Sequence, residues 1–150
     1  MATNPSIAAL CHSDTALARG IDNSPPHSLL PNLQRLQSGL AAIQNLLGSA
    51  ISISSGYRCD ELNRAVGGVP GSQHQEGLAA DFECQGFGSP IEIALAIADS
   101  AIAFDQLIVE FGRWVHISFS PTPRRQMLTI YSSARGYQDG IVTEDGRRLA

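Results

Sequence analysis

The chain has 150 residues, of which 43% are hydrophobic and 16% are charged. This length and composition are typical of one soluble globular domain with its own hydrophobic core. The net charge of −4 argues against general nucleic-acid binding, which requires an excess of cations. All ten cations are arginines, so the chain offers no lysine for Schiff-base or general-base chemistry.

The start of the chain and its hydropathy pattern predict where the protein is made. No apolar run approaches the roughly 20 residues that cross a bilayer. Residues 1–5 lack the basic and apolar regions of a secretory signal. We therefore expect a protein that is cytoplasmic as synthesised and does not insert into membranes, and we expect it to act as a monomer.

Helices dominate the first third of the chain. Short helical pieces are expected before residue 30, one of them capped by Asp14 and ended by Gly20. A long amphipathic helix is then predicted by apolar residues that recur at helical spacing, namely Leu29, Leu33, Leu36, Leu40, Ile43 and Leu47. Gly48 follows as its C-terminal stop.

Short strands dominate the remainder. Strand patterns occupy residues 51–54, 78–82, 106–111, 114–119 and 127–131, with a hairpin between the third and fourth. The other segments are a helix at 60–66, a loop at 69–77, a helix from the Ser89 cap to about residue 103, and a surface tail over the last fifteen residues. This order predicts an α+β fold with a small, mostly antiparallel sheet and flanking helices.

Three polar residues in unusual surroundings are candidate metal ligands. His74 lies in a Gly/Ser/Gln loop that gives an imidazole no packing role, Asp81 lies in a strand of small and apolar residues, and His116 interrupts an apolar strand. Buried groups of this kind need partners, and a metal ion satisfies all three. The alternative is a set of core residues bonded to backbone carbonyls, and spacing alone leaves both interpretations open.

The cysteines do not indicate a disulfide scaffold. Cys11, Cys59 and Cys84 form no CxxC pair. Cys59 and Cys84 flank the candidate site and could pair, although buried free thiols are the simpler interpretation.

Four segments resemble the zinc D-Ala-D-Ala carboxypeptidase family, which includes phage endolysin peptidases and shares its zinc fold with the hedgehog signalling domain. They are SSGYRC at 54–59, LN at 62–63, SQHQEGLAAD at 72–81 and WVHIS at 114–118, and residues 14–23 resemble the small phage-associated branch. The resemblance covers roughly residues 13–127. It implies one zinc peptidase domain over 1–150, with a helical part at about 5–48, a catalytic core at about 49–131 and a C-terminal tail.

The resemblance also implies a role for each matching residue. His74, Asp81 and His116 match the three ligands of one zinc ion, with a fourth position left open. Arg58 matches an arginine that binds the substrate carboxylate or steadies the oxyanion; the alternative is a surface arginine beside two acidic residues. Ser72 matches a serine of the same pocket, and its alternative role is a loop cap.

The general base departs from the family pattern. Many relatives carry an acid three residues before the last ligand, where this chain has Arg113. Glu110 instead takes the place of a glutamate near the metal in hedgehog-like members, and its apolar surroundings favour a raised pKa. The alternative for Glu110 is a sheet-edge residue that faces water. Trp114 replaces a frequent histidine, and it either shapes the substrate pocket or fills the core.

The implied activity is hydrolysis of peptide bonds involving D-amino acids in peptidoglycan stem peptides or cross-links. The motifs are common to D-Ala-D-Ala carboxypeptidases and to endopeptidases, including phage endolysins that reach the cell wall after release, through a separate phage holin. A second hypothesis, favoured by Arg113, is a zinc-containing binding or structural module of the same fold without catalysis. A third is a phage virion component that opens the wall during entry.

Overall fold

A computed structural model describes residues 3–150. Within that range the helices are α1 (Ile7–Cys11), α2 (Asp14–Arg19), α3 (Leu30–Leu47), α4 (Asp60–Ala65) and α5 (Pro90–Ala98), with a 3-10 turn at His27–Leu29. The strands of the same range are β1 (Ser52–Ser55), β2 (Ala79–Glu83), β3 (Gln106–Glu110), β4 (Trp114–Ser118), β5 (Gln126–Ile130) and β6 (Tyr137–Asp139).

The strands form one open sheet in the order β1-β2-β4-β3-β5-β6. Neighbouring strands are antiparallel except for β3 and β5, which run parallel. The predicted α+β fold with a mostly antiparallel sheet is therefore confirmed. The β3–β4 hairpin turns at Phe111 and Gly112, whose φ angles of 58° and 65° match a type I′ turn.

The two faces of the sheet differ in chemistry because successive side chains on a strand point to opposite sides. Phe82 and Val115 are paired across β2 and β4, and both are fully buried in the hydrophobic core. Asp81 and His116 form the next pair and therefore lie on the other face. Neighbouring residue pairs on β2 and β4 thus place the polar side chains on one face and the core side chains on the other.

The core lies between the sheet and the two longest helices of the described range. α3 buries five of the six residues of the predicted stripe, namely Leu33, Leu36, Leu40, Ile43 and Leu47. The sixth, Leu29, lies in the 3-10 turn before α3 and is half-buried. Each fully buried aliphatic side chain of this kind contributes roughly 1.5–3 kcal/mol. α3 ends at Gly48, which is left-handed with a φ of 66°, as predicted. α5 packs against α3 and against β3 and β4.

Two helix boundaries differ from the prediction. Ser13 rather than Asp14 caps α2, because the Ser13 hydroxyl accepts from the backbone of Ala16. α5 ends at Ala98 instead of about residue 103. The hydroxyl of Ser100 donates to the carbonyl of Ile97 and accepts from a backbone amide further on, which turns the chain away from the helix.

The predicted surface tail is wrong in part. Tyr137–Asp139 forms β6, which pairs with β5 at the end of the sheet. Ile141 is fully buried, and Val142 is nearly so and forms a β-bridge with Arg148. A three-residue strand has too few alternating positions to be recognised in the sequence.

The cysteines are free thiols, and the helices of the described range lack membrane-spanning character, as expected from the sequence. Cys11, Cys59 and Cys84 are free, with Cys84 buried and Cys59 capping α4. Across residues 3–150, no helix has both the length and the apolar character that spanning a bilayer would require.

We expect Gly39→Ala to destabilise the protein. Alanine normally stabilises a helix interior by about 0.5–1 kcal/mol relative to glycine. At Gly39, however, a Cβ would overlap the ring of Phe119, which is 5% exposed and cannot move aside easily. Overpacking typically costs about 1–3 kcal/mol. Urea unfolding measures the difference, with Ala42→Gly on the exposed side of α3 reporting the propensity effect alone. A more stable Gly39→Ala protein would contradict the packing.

We expect Asp105→Asn to flatten the acid dependence of stability. Arg124 donates to both carboxylate oxygens of Asp105 at 2.9 Å, and this contact with Arg124 lowers the pKa of Asp105 to about 2. The unfolded-state pKa is about 3.9, so roughly 2 kcal/mol of stability is present above that pH and is lost as the pH falls toward 2. Urea unfolding from pH 2 to 5 checks this, with the exposed Asp99→Asn as control. Equal slopes for wild type and Asp105→Asn would refute the assignment.

Candidate metal centre

The three predicted ligands meet on the polar face of the sheet. His74 comes from the loop before β2, Asp81 from β2 and His116 from β4. All three are buried, with 3%, 6% and 8% of their surfaces exposed. Nε2 of His74 lies 3.3 Å from Oδ1 of Asp81, and Nδ1 of His116 lies 3.0 Å from the same oxygen. One carboxylate oxygen therefore stands between two imidazoles.

Backbone contacts hold the loop that carries His74. The amide of Arg58 donates to the carbonyl of His74 at 3.1 Å, which ties the loop to the segment after β1. The Ser72 hydroxyl accepts from the His74 amide at 3.1 Å. Gly77 takes a left-handed φ of 70° beside the side chain of Leu33, where a Cβ would be tight. The Gly/Ser-rich composition of the loop thus serves the placement of one imidazole.

His74 is held in the tautomer that a metal ligand needs. Its Nδ1 lies 2.8 Å from the carbonyl oxygen of Gly56, which can only accept, so Nδ1 carries the proton. Nε2 is then unprotonated and faces Asp81. Burial lowers the pKa of His74 and favours the neutral ring, although Asp81 opposes this shift. Metal-binding histidines commonly have such a carbonyl partner on the other ring nitrogen.

Asp81 is held in its ionised form. Burial acts to raise its pKa, but the contacts with His116 and His74 outweigh burial and place the pKa well below the usual range. The other carboxylate oxygen, Oδ2, lies 3.4 Å from the guanidinium of Arg58. Asp81 therefore presents Oδ1 to the histidines while Arg58 holds Oδ2.

The donor set fits a metal ion. In a tetrahedral zinc site the ligand atoms lie about 2.0–2.2 Å from the ion and hence roughly 3.3–3.6 Å from one another. The ligand atoms of His74, Asp81 and His116 all lie within 4.8 Å of one another. Small side-chain adjustments would bring them to that spacing, and the group could therefore hold a metal ion.

Arg58 is fixed beside the ligands and is not a surface arginine. Its side chain is 14% exposed. Its guanidinium donates to Ser55 Oγ at 2.9 Å, to Asn63 Oδ1 at 3.1 Å and to Asp81 Oδ2 at 3.4 Å. Burial lowers the pKa of Arg58, opposed by the negative charges of Asp81 and Glu110, and an arginine remains charged under these conditions.

Glu110 faces the cluster. β3 lies between β4 and β5, so Glu110 is not at a sheet edge. Its Oε1 lies 3.7 Å from Nδ1 of His116 and accepts from the indole of Trp114 at 3.4 Å. Burial raises the pKa of Glu110, as does the charge of Asp81, while His116 lowers it. The carboxyl group thus adjoins the candidate ligands without belonging to the close triad.

The other residues singled out in the sequence have three different positions. Trp114 is half-buried, lines the cleft beside the cluster and packs edge-on against Phe111 with ring centroids 5.5 Å apart. The Ser72 hydroxyl accepts from the His74 amide, which is the loop-cap role given above as the alternative to a pocket residue. Arg113 follows the hairpin turn and is exposed.

Two contributors to the site had no role assigned from the sequence. Asn63 is 1% exposed and supports Arg58 while also donating to the carbonyl of Val69; a polar residue on the buried side of α4 was the available signal. Residues 12–15 line part of a cleft of about 900 Å³ that also includes Arg58, Asp81 and Trp114. Their local sequence gives no sign of this, since the contact depends on how α1 and α2 dock.

Comparison with known proteins agrees with this geometry. A protein-family model described as Peptidase M15 matches residues 5–118. That range contains all three candidate ligands together with Arg58 and Glu110. No individual curated protein matches the chain. With most of its length matched and a buried His-Asp-His group at the expected positions, the chain belongs to the M15 peptidase family.

Proposed function

We propose that the protein is a zinc-dependent peptidase that hydrolyses bonds involving D-amino acids in peptidoglycan stem peptides or cross-links. The observation that carries the proposal is the placement of the Glu110 carboxyl 3.7 Å from a ring nitrogen of His116, beside three buried candidate ligands. Membership of the M15 family supports hydrolysis of a peptide bond. Two imidazoles and a carboxylate are a donor set that suits zinc.

The residues divide the work of hydrolysis. Zinc held by His74, Asp81 and His116 would polarise the scissile carbonyl and lower the pKa of the attacking water. Glu110 accepts the proton of that water and later returns it to the leaving amine. Its raised pKa brings the carboxyl closer to neutral working pH, where such an exchange is most efficient.

Arg58 has donors left for substrate. A guanidinium offers five N–H groups; within residues 3–150, three of them are used by Ser55, Asn63 and Asp81, and two are left. These groups would bind a substrate carboxylate or the developing oxyanion. The first role suits a carboxypeptidase and the second suits both a carboxypeptidase and an endopeptidase. The open cleft of about 900 Å³ is large enough for several peptide residues in either case.

The proposal includes where the enzyme acts. We propose a monomer that reaches the cell wall after release from the cytoplasm, as a phage lysis enzyme does. Incubating the purified protein with intact cells and with isolated peptidoglycan separates access from activity. Release of peptides from the isolated wall is the expected result, and no release from it would contradict the proposed activity.

We expect one zinc ion per chain after reconstitution. His74→Ala and His116→Ala should lose most of the zinc, while His27→Ala, which changes an exposed histidine remote in sequence, should retain it. Zinc at 100 times its Kd stabilises the fold by about 2.7 kcal/mol, so Tm should rise by roughly 5–10 °C. Elemental analysis and thermal unfolding measure both effects. A wild-type protein that takes up no metal would overturn the proposal.

We expect Glu110→Gln to keep its zinc and to lose about 10²–10⁴-fold in kcat, because the amide cannot accept the proton. The exposed Glu144→Gln is the matched control and should behave as wild type. Peptide release from purified peptidoglycan, followed by mass spectrometry, measures the rate and identifies the bond. Full activity of Glu110→Gln would exclude its role as base. Zinc without release by the wild type would favour a binding module of the same fold.

A further inference from the structure

β6 places one tyrosine in line with the candidate base. Tyr137 pairs with Ile130 of β5, and Ile130 pairs with Glu110 of β3. Glu110 in turn pairs with Trp114 of β4. These residues form one row across four neighbouring strands of the sheet.

Residues paired directly across neighbouring strands point to the same face of a sheet. The side chain of Tyr137 therefore projects on the face that carries Glu110 and Trp114. Asp81 and His116 lie on this face too, because His116 is two residues from Trp114 on the same strand. The tyrosine does not belong to the hydrophobic core on the opposite face, and it is 56% exposed.

The phenol of Tyr137 is an unused donor. Over residues 3–150 its hydroxyl makes no hydrogen bond, whereas the hydroxyl of Tyr131 donates to the carbonyl of Val142 at 2.6 Å. Partial burial raises the pKa of Tyr137, and the negative charges of Glu110 and Asp81 raise it further. The phenol therefore stays protonated at neutral pH and can donate a hydrogen bond. A large aromatic side chain with a free donor beside a polar site is a typical binding group.

Tyr137 and Arg58 stand on opposite sides of the centre. Arg58 follows β1, at one end of the strand order, and Tyr137 lies on β6, at the other end. Asp81, His116 and Glu110 come from the strands between them. A peptide bound across the centre would meet a guanidinium on one side and a phenol on the other.

We propose that Tyr137 is a substrate-binding residue whose hydroxyl donates a hydrogen bond to a main-chain carbonyl oxygen of the bound peptide, on the side of the centre opposite Arg58. This inference rests on the proposed peptidase function and adds a contact to it. Tyr137 lies beyond residue 118, where the family match ends, so family membership does not itself imply the contact.

Tyr137→Phe tests the hydroxyl and leaves the ring in place. The zinc-loaded protein is assayed on soluble muropeptides prepared from purified peptidoglycan, both monomeric and cross-linked. We expect kcat/KM to fall about 3- to 10-fold, mainly through KM, since one neutral hydrogen bond to bound peptide is lost. Tyr131→Phe is the matched control: it removes a structural hydrogen bond, so it should lower Tm and leave kcat/KM unchanged.

A binding measurement separates this contact from a structural role. In the Glu110→Gln background, which should bind muropeptides without cleaving them, adding Tyr137→Phe should raise the Kd measured by calorimetry about 3- to 10-fold. Zinc content and Tm should stay unchanged, whereas a structural role would alter them. Wild-type cleavage with equal kcat/KM and Kd in the Tyr137→Phe proteins would overturn this inference alone. A zinc-loaded wild type that cleaves no muropeptide would overturn the proposed function and this inference with it.

Discussion

Asp81 is a buried, ionised carboxylate, and the rest of the site is arranged around satisfying it. Removing such a charge from water is costly unless it is paired and hydrogen-bonded. Here Oδ1 lies between two imidazoles, and Oδ2 faces Arg58. The arginine is itself held by Ser55 and Asn63. Because the carboxylate oxygen and the imidazole nitrogens converge, the network that stabilises Asp81 also creates a position that favours a cation.

The register between β2 and β4 brings Asp81 next to one of the imidazoles that satisfy its charge. Asp81 is directly opposite His116, while the adjacent pair, Phe82 and Val115, is fully buried on the other face. A slip of one residue would place the carboxylate in the core and the phenyl ring in the cleft. The apolar contacts of Phe82 with the core cluster therefore hold the polar pair in place as well. Fold stability and site geometry depend on the same alignment.

The sequence predicts those parts of the fold that are determined by interactions between residues close together in the chain. The apolar stripe of α3 and the end of that helix at Gly48 are local features, and both are found as predicted. The ligand set was predicted from the resemblance, since spacing alone left the core-histidine interpretation open. The parallel β3–β5 pairing and the short β6 depend on contacts between distant segments, which no local pattern encodes. Whether Glu110 lies at a sheet edge has the same origin, because it depends on the position of β3 between β4 and β5.

The departure at position 113 has a structural explanation in the hairpin. Arg113 follows the turn formed by Phe111 and Gly112 and is exposed, whereas Glu110 is the last residue of β3 and pairs with Trp114. Glu110 is held in place because β3 is paired with β4 on one side and β5 on the other. The indole of Trp114 also donates a hydrogen bond to the Glu110 carboxylate. The turn needs only residues that tolerate left-handed backbone. In the proposed mechanism the acid is therefore part of the sheet, and the turn borders the cleft, where Arg113 and Trp114 line the wall.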